Sequence, residues 1–93
     1  MKSLDELRDS IDKIDSHIFE LIAQRFEVTD EVGVYKAMHQ LPAKDASREL
    51  KQFERISALA LQFDLDPQMA KDFLAVIIEK VVENHVKIAE QIE

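Results

Sequence analysis

The sequence predicts an all-α protein of three helices, one long and two shorter, that pairs with a second copy of itself. Three observations carry that expectation. Helix breakers are scarce, with 1 glycine and 2 prolines in 93 residues otherwise rich in Ala, Leu, Ile, Val, Glu, Lys and Gln. From Leu7 to Tyr35 apolar residues recur at intervals of four and three, the period of a helix face. The helix so defined outgrows a compact fold, because ~35 residues at ~1.5 Å rise span ~52 Å whereas a compact globule of this length is ~32 Å across.

The first helix is expected from about Leu4 to about Met38. Its apolar seam runs Leu7, Ile11, Ile14, Ile18, Leu21, Val28, Val32 and Tyr35, interrupted by Arg25. Ser3 followed by Glu6 has the spacing of a capping box at its start. Gly33 costs about 1 kcal/mol against alanine inside a helix, so an end there is the competing reading. The apolar period crosses Gly33, and the helix is kept whole. Residues 39–44 hold Pro42 and read as a loop. Asp45 is placed to cap a second helix from Ala46 to about Phe63, with Leu50, Phe53, Ile56, Ala60 and Phe63 on its buried face. Asp66 and Pro67 form the cap and first-position pair of a third helix. That helix runs to the C-terminus on Phe73, Leu74, Ile77, Ile78, Val81, Ile88 and Ile92. With no internal repeat and no long linker, residues 1–93 read as one domain.

Composition narrows the function classes. The chain has no cysteine, so neither a disulfide framework nor a thiolate metal site is expected. Its N-terminus carries charges where a signal peptide needs an apolar stretch, and its longest apolar run is far short of the ~20 residues of a membrane span. A cytoplasmic protein is expected. A net charge of -7, with 12 Lys and Arg scattered along the chain, argues against nucleic acid as a partner. A small anion remains compatible, since a few converging cations outweigh the bulk field at short range. The protruding seam of the first helix is an apolar patch that needs cover, and a homodimer with the long helices side by side supplies it most simply.

Arg25 is the cation the helix pattern least explains. It is either a register-fixing polar residue, paired or snorkelling outward, or part of a binding site. Lys36 lies eleven residues on, within ~20° of the same direction and ~16 Å along the axis, so the two cations share a face. Arg8 lies ~25 Å before Arg25 on the same rod and reaches that face only from an antiparallel partner helix. Asp45 reads as an N-cap, Arg48 as a surface charge and Glu49 as a carboxylate at a helix N-terminus. Taken together these residues describe a pocket for a small dianion that carries a hydroxyl. His85 falls on the inward stripe of Leu74, Ile78, Val81, Ile88 and Ile92. It is either a satisfied core group or a donor aimed into the pocket.

The segments LRDSIDKIDSHIFELIAQR, VGVYKAMHQLP, KDASRE, LDP and FLAVIIEKVV resemble the successive blocks of the AroQ-class chorismate mutases, in register over nearly the whole chain. The resemblance implies an intertwined three-helix homodimer that rearranges chorismate to prephenate on the way to phenylalanine and tyrosine, with no cofactor and no metal. It places the family's substrate-binding arginines on Arg8 of the other subunit, Arg25 and Arg48. It places the lysine at the ether oxygen on Lys36, and the contacts to the ring hydroxyl on Asp45 and Glu49. In the third helix the chain departs from the pattern: Val81 stands where many members have a serine, and His85 where many have a glutamine that donates to the ether oxygen.

A pericyclic rearrangement calls for no nucleophile or base. It is helped by holding the enolpyruvyl arm over the ring and by donors at the ether oxygen, where negative charge grows. Arg25, Lys36 and His85 are the expected catalytic residues. If His85 donates, the rate rises as falling pH charges the imidazole. Two alternatives stay open at this level. One is an isochorismate pyruvate lyase, against which Asp45 and Glu49 lean. The other is a non-catalytic dimerisation or regulatory module, which Val81 and His85 favour.

Overall fold

A computed structural model describes residues 1–92 as three helices, α1 (Leu4–Met38), α2 (Ala46–Gln62) and α3 (Pro67–Ile92). Each start is capped as the sequence leads one to expect. The Ser3 hydroxyl accepts from the Glu6 N–H at 3.1 Å, Asp45 Oδ1 from the Arg48 N–H at 3.0 Å, and Asp66 Oδ1 from the Gln68 N–H at 3.0 Å. The first two helix ends close alike. Leu41 N–H returns to Lys36 O at 2.8 Å and Leu65 N–H to Ala60 O at 2.7 Å, around Gln40 and Asp64 at φ 55° and 60°. These are Schellman closures built on left-handed residues other than glycine.

α3 is the centre of the molecule and packs against both other helices, while α1 and α2 do not pack on each other among the described residues. Gly33 meets His85 and Ile88, and further on Ala37 and Met38 share a recess with Ala89 and Ile92, so α1 and α3 run parallel here. α2 turns back onto α3 through the short connection 63–66. The buried residues are few: Gly33 on α1, Ala60 on α2, and Ala70, Leu74, Ile78 and His85 on α3.

Gly33 lies inside α1 without ending it. A β-carbon there would stand 2.7 Å from His85 Cδ2 and 2.9 Å from Ile88 Cδ1, so the missing side chain is what lets α3 come this close. The expected buried face of α2 needs correcting. Ala60 is buried and Phe53 and Ile56 are half-buried, but Leu50 and Phe63 are 62% and 64% exposed, and Phe63 caps the helix from just outside it. On α3, Phe73 and Ile92 are exposed as well. Helical period locates the apolar side of an element, whereas one neighbouring helix covers only part of that side.

The chain extends over 58 × 25 × 14 Å with a radius of gyration of 16.8 Å. A compact chain of this length would have a radius of gyration of ~12 Å. The excess is the N-terminal half of α1, where Leu7, Ile11, Ile14, Ile18 and Leu21 all stand exposed.

Candidate active site

All three helices contribute to one cavity of about 470 Å³. α1 brings Arg25, Thr29 and Lys36, the start of α2 brings Asp45, Arg48, Glu49 and Gln52, and α3 brings Ile78, Val81, Val82 and His85. Arg25 and Lys36, ~16 Å apart along one face of α1, both line this cavity. The turn that Asp45 caps brings Arg48 and Glu49 to its rim.

Arg25 is half-buried, and its Nη1 is fully buried with no partner in the chain. Burial, and then the like charge of Arg48, push its guanidinium below the usual arginine pKa. Glu49 accepts from Lys44 Nζ at 3.2 Å through Oε1, while its buried Oε2 has no partner in the chain. Two residues that each keep a buried polar atom unused, one a donor and one an acceptor, line the cavity together with Lys36 and Arg48. That arrangement is complementary to an anion bearing a hydroxyl.

Lys36 is held from two sides. Its Nζ donates to Ala43 O at 3.1 Å, in the loop before α2, and lies 3.3 Å from His85 Nδ1 on α3. His85 is 3% exposed, and its Nε2 lies 2.7 Å from Thr29 O. Val81 is half-buried one turn earlier on α3 and presents an apolar surface to the same cavity.

Of the residues singled out from the sequence, Arg25, Lys36, Asp45, Arg48, Glu49, Val81 and His85 line this cavity. Arg8 does not. It lies exposed on the protruding half of α1, seventeen residues and ~25 Å before Arg25. Gln52 was not expected. Its position one turn after Arg48 on α2 was the available signal. Thr29 and Ala43 were also missed, because they act through backbone carbonyls, which every residue has and no sequence pattern distinguishes.

Over residues 7–86 the chain matches the sequence profile of the family described as chorismate mutase type II. A chorismate mutase of Methanocaldococcus jannaschii is 30% identical over 79 residues, 85% of this chain and 80% of that protein. A bifunctional chorismate mutase/prephenate dehydratase of Escherichia coli is 33% identical over 76 residues, 82% of this chain. The T-protein of Haemophilus influenzae is 30% identical over 74 residues, 80% of this chain. In each of the last two the match spans 20% of the relative's length.

Proposed function

The chain belongs to the chorismate mutase type II family, and from that membership we propose that it converts chorismate to prephenate in phenylalanine and tyrosine biosynthesis, as a cytoplasmic homodimer with shared sites. One observation carries this reading: apart from Arg8, the residues that match the family's binding pattern come from three helices yet line one cavity, and Arg25 and Glu49 among them each keep a buried polar atom without a partner in the chain. No helix among the described residues is long and apolar enough to cross a membrane.

Chorismate carries two carboxylates, a ring hydroxyl and an ether-linked enolpyruvyl arm. Arg25 and Arg48 hold carboxylates from within the chain, and Arg8 of a second copy supplies the remaining cation. Asp45 and Glu49 take the ring hydroxyl. The reaction breaks the ether C–O bond as a C–C bond forms, and an arm held over the ring has already lost the freedom that slows the reaction in water. Lys36 faces the ether oxygen, where its charge is worth more in the transition state than in the bound substrate. The dimer has separate support. The exposed seam of α1 is apolar over several turns, and an antiparallel partner laid along it carries its Arg8 toward the cavity.

The deciding experiment follows chorismate absorbance and prephenate formation with purified protein. Turnover to prephenate is the expected result. Salicylate and pyruvate from isochorismate, with no prephenate from chorismate, would make the protein a lyase. Binding of chorismate without turnover would mean a non-catalytic module, a reading that the apolar Val81 favours.

A further inference from the structure

We infer that His85 is a positioning residue that acts on the reaction through Lys36, as a hydrogen-bond acceptor, and not as a donor to the substrate. The inference rests on the mutase reading for its kinetic consequences but on geometry alone for the arrangement itself.

The partners of the ring determine where its proton sits. A carbonyl oxygen only accepts, so the 2.7 Å contact to Thr29 O requires the hydrogen on Nε2. An ammonium only donates, so the 3.3 Å contact to Lys36 Nζ requires a bare lone pair on Nδ1. One neutral tautomer satisfies both contacts. The other faces lone pair to lone pair at Thr29 and hydrogen to hydrogen at Lys36. The imidazolium keeps the Thr29 bond but places a donor and a like charge against the ammonium.

The proton that a neutral ring could offer a ligand is therefore committed to α1. What His85 does for the cavity is aim Lys36. An ammonium has three N–H directions, and Lys36 spends one on Ala43 O and one on His85 Nδ1. Two fixed directions fix the third, which leaves one oriented donor for the cavity that Lys36 lines. Gly33 completes the device. Thr29 O already receives the Gly33 N–H in the helix ladder, and with no β-carbon at Gly33 the ring can lie flat enough to use the second lone pair.

Protonation of His85 should therefore lower the rate, opposite to the effect of a donor histidine. The charged groups that line its cavity are Lys36 and Arg25 from α1 and Asp45, Arg48 and Glu49 from the start of α2, with Lys36 the one in hydrogen-bond contact. A protonated ring has no acceptor left for Lys36, so turnover falls on the acid side of the pH profile.

Two measurements test this. Nitrogen NMR of the His85 ring in the ligand-free protein at neutral pH should find Nε2 protonated and Nδ1 bare. A proton on Nδ1 would overturn the arrangement. Kinetics then test the acceptor. His85→Asn places an oxygen where Nδ1 stood and keeps an acceptor for Lys36, whereas His85→Leu fills the same space with neither acceptor nor donor. Asn should retain turnover within about tenfold and lose the low-pH decline. Leu should lose on the order of 10²-fold in kcat, the scale of a misplaced catalytic group, with a smaller change in KM. Leu as active as Asn, or a wild-type rate that rises at low pH, would overturn the inference. Where a variant does not fold by circular dichroism, the ring tautomer and the wild-type pH profile still decide. If wild-type protein does not turn chorismate over at all, the mutase reading fails while the NMR result still judges the contact.

Discussion

Gly33 of α1 and His85 of α3 approach so closely that a β-carbon at Gly33 would lie 2.7 Å from the ring's Cδ2 and 3.2 Å from its Nε2. Helix propensity and site geometry pull against each other at this position. Glycine weakens the middle of a long helix, and its presence there follows from what the neighbouring helix must place beside it.

Gly33→Ala tests the balance. Alanine gains about 1 kcal/mol of helix propensity, while overpacking a tight contact costs about 1–3 kcal/mol. Ile88 Cδ1 is the free end of a flexible side chain and can move aside, but the His85 ring is tied at both nitrogens. The cost should win. Melting temperature should drop by a few degrees and turnover should fall further than the stability change accounts for. A variant that melts higher and turns over normally contradicts the close approach.

Arg25→Met should do the reverse to stability. Arg25 has its pKa depressed in the folded state by burial and by Arg48, so its charged form is disfavoured by folding at every pH below that value, pH 7 included. Removing the charge should raise the melting temperature of the free protein. It should also remove most of the further rise that a dicarboxylate ligand gives the wild type, since that rise follows RT ln(1 + [L]/Kd). Calorimetry at matched protein concentration reads both. A lower melting temperature for the ligand-free variant would mean that Arg25 is satisfied in the free protein.

Ile14→Lys asks whether the exposed half of α1 is covered. Ile14 is 59% exposed in one chain. On a free surface the substitution should shift stability by no more than about 0.5 kcal/mol. In a dimer seam it buries an unpaired ammonium and should drive the species from twice 10.7 kDa to a single chain in sedimentation. A variant that sediments and melts like the wild type would leave the seam without a partner.

Complementation locates Arg8. Arg8→Ala and Arg25→Ala homodimers should each lose most activity, whereas an equal mixture after subunit exchange should regain up to about a quarter of the wild-type rate, because about half the dimers are heterodimers and each contains one site with both arginines. Mixing that confirms exchange by mass spectrometry yet restores nothing would place Arg8 outside the site.

Much of this molecule is legible in its amino-acid sequence. The ends of α1 follow from Ser3 at one side and the loop around Pro42 at the other. Arg25 and Lys36 share a face because eleven residues nearly complete three helical turns, and Asp45 carries Arg48 and Glu49 into place because a capped helix start is a local structure. The exposure of Leu50, Phe63 and Phe73 is not legible there, because the apolar side of a helix is a property of its sequence and the cover over it is a property of its neighbours.

His85 divides the two kinds of knowledge most sharply. Its place on the inward stripe of α3 is a matter of counting residues, and a single chain of letters determines it. Which of its nitrogens carries the proton is decided by Thr29 O and Lys36 Nζ, 56 and 49 residues away in the chain. Those contacts exist only because α1 and α3 lie side by side at a distance that Gly33 permits. Periodicity and capping act within one helix and can be read from it, whereas hydrogen-bond direction depends on partners that folding alone brings together.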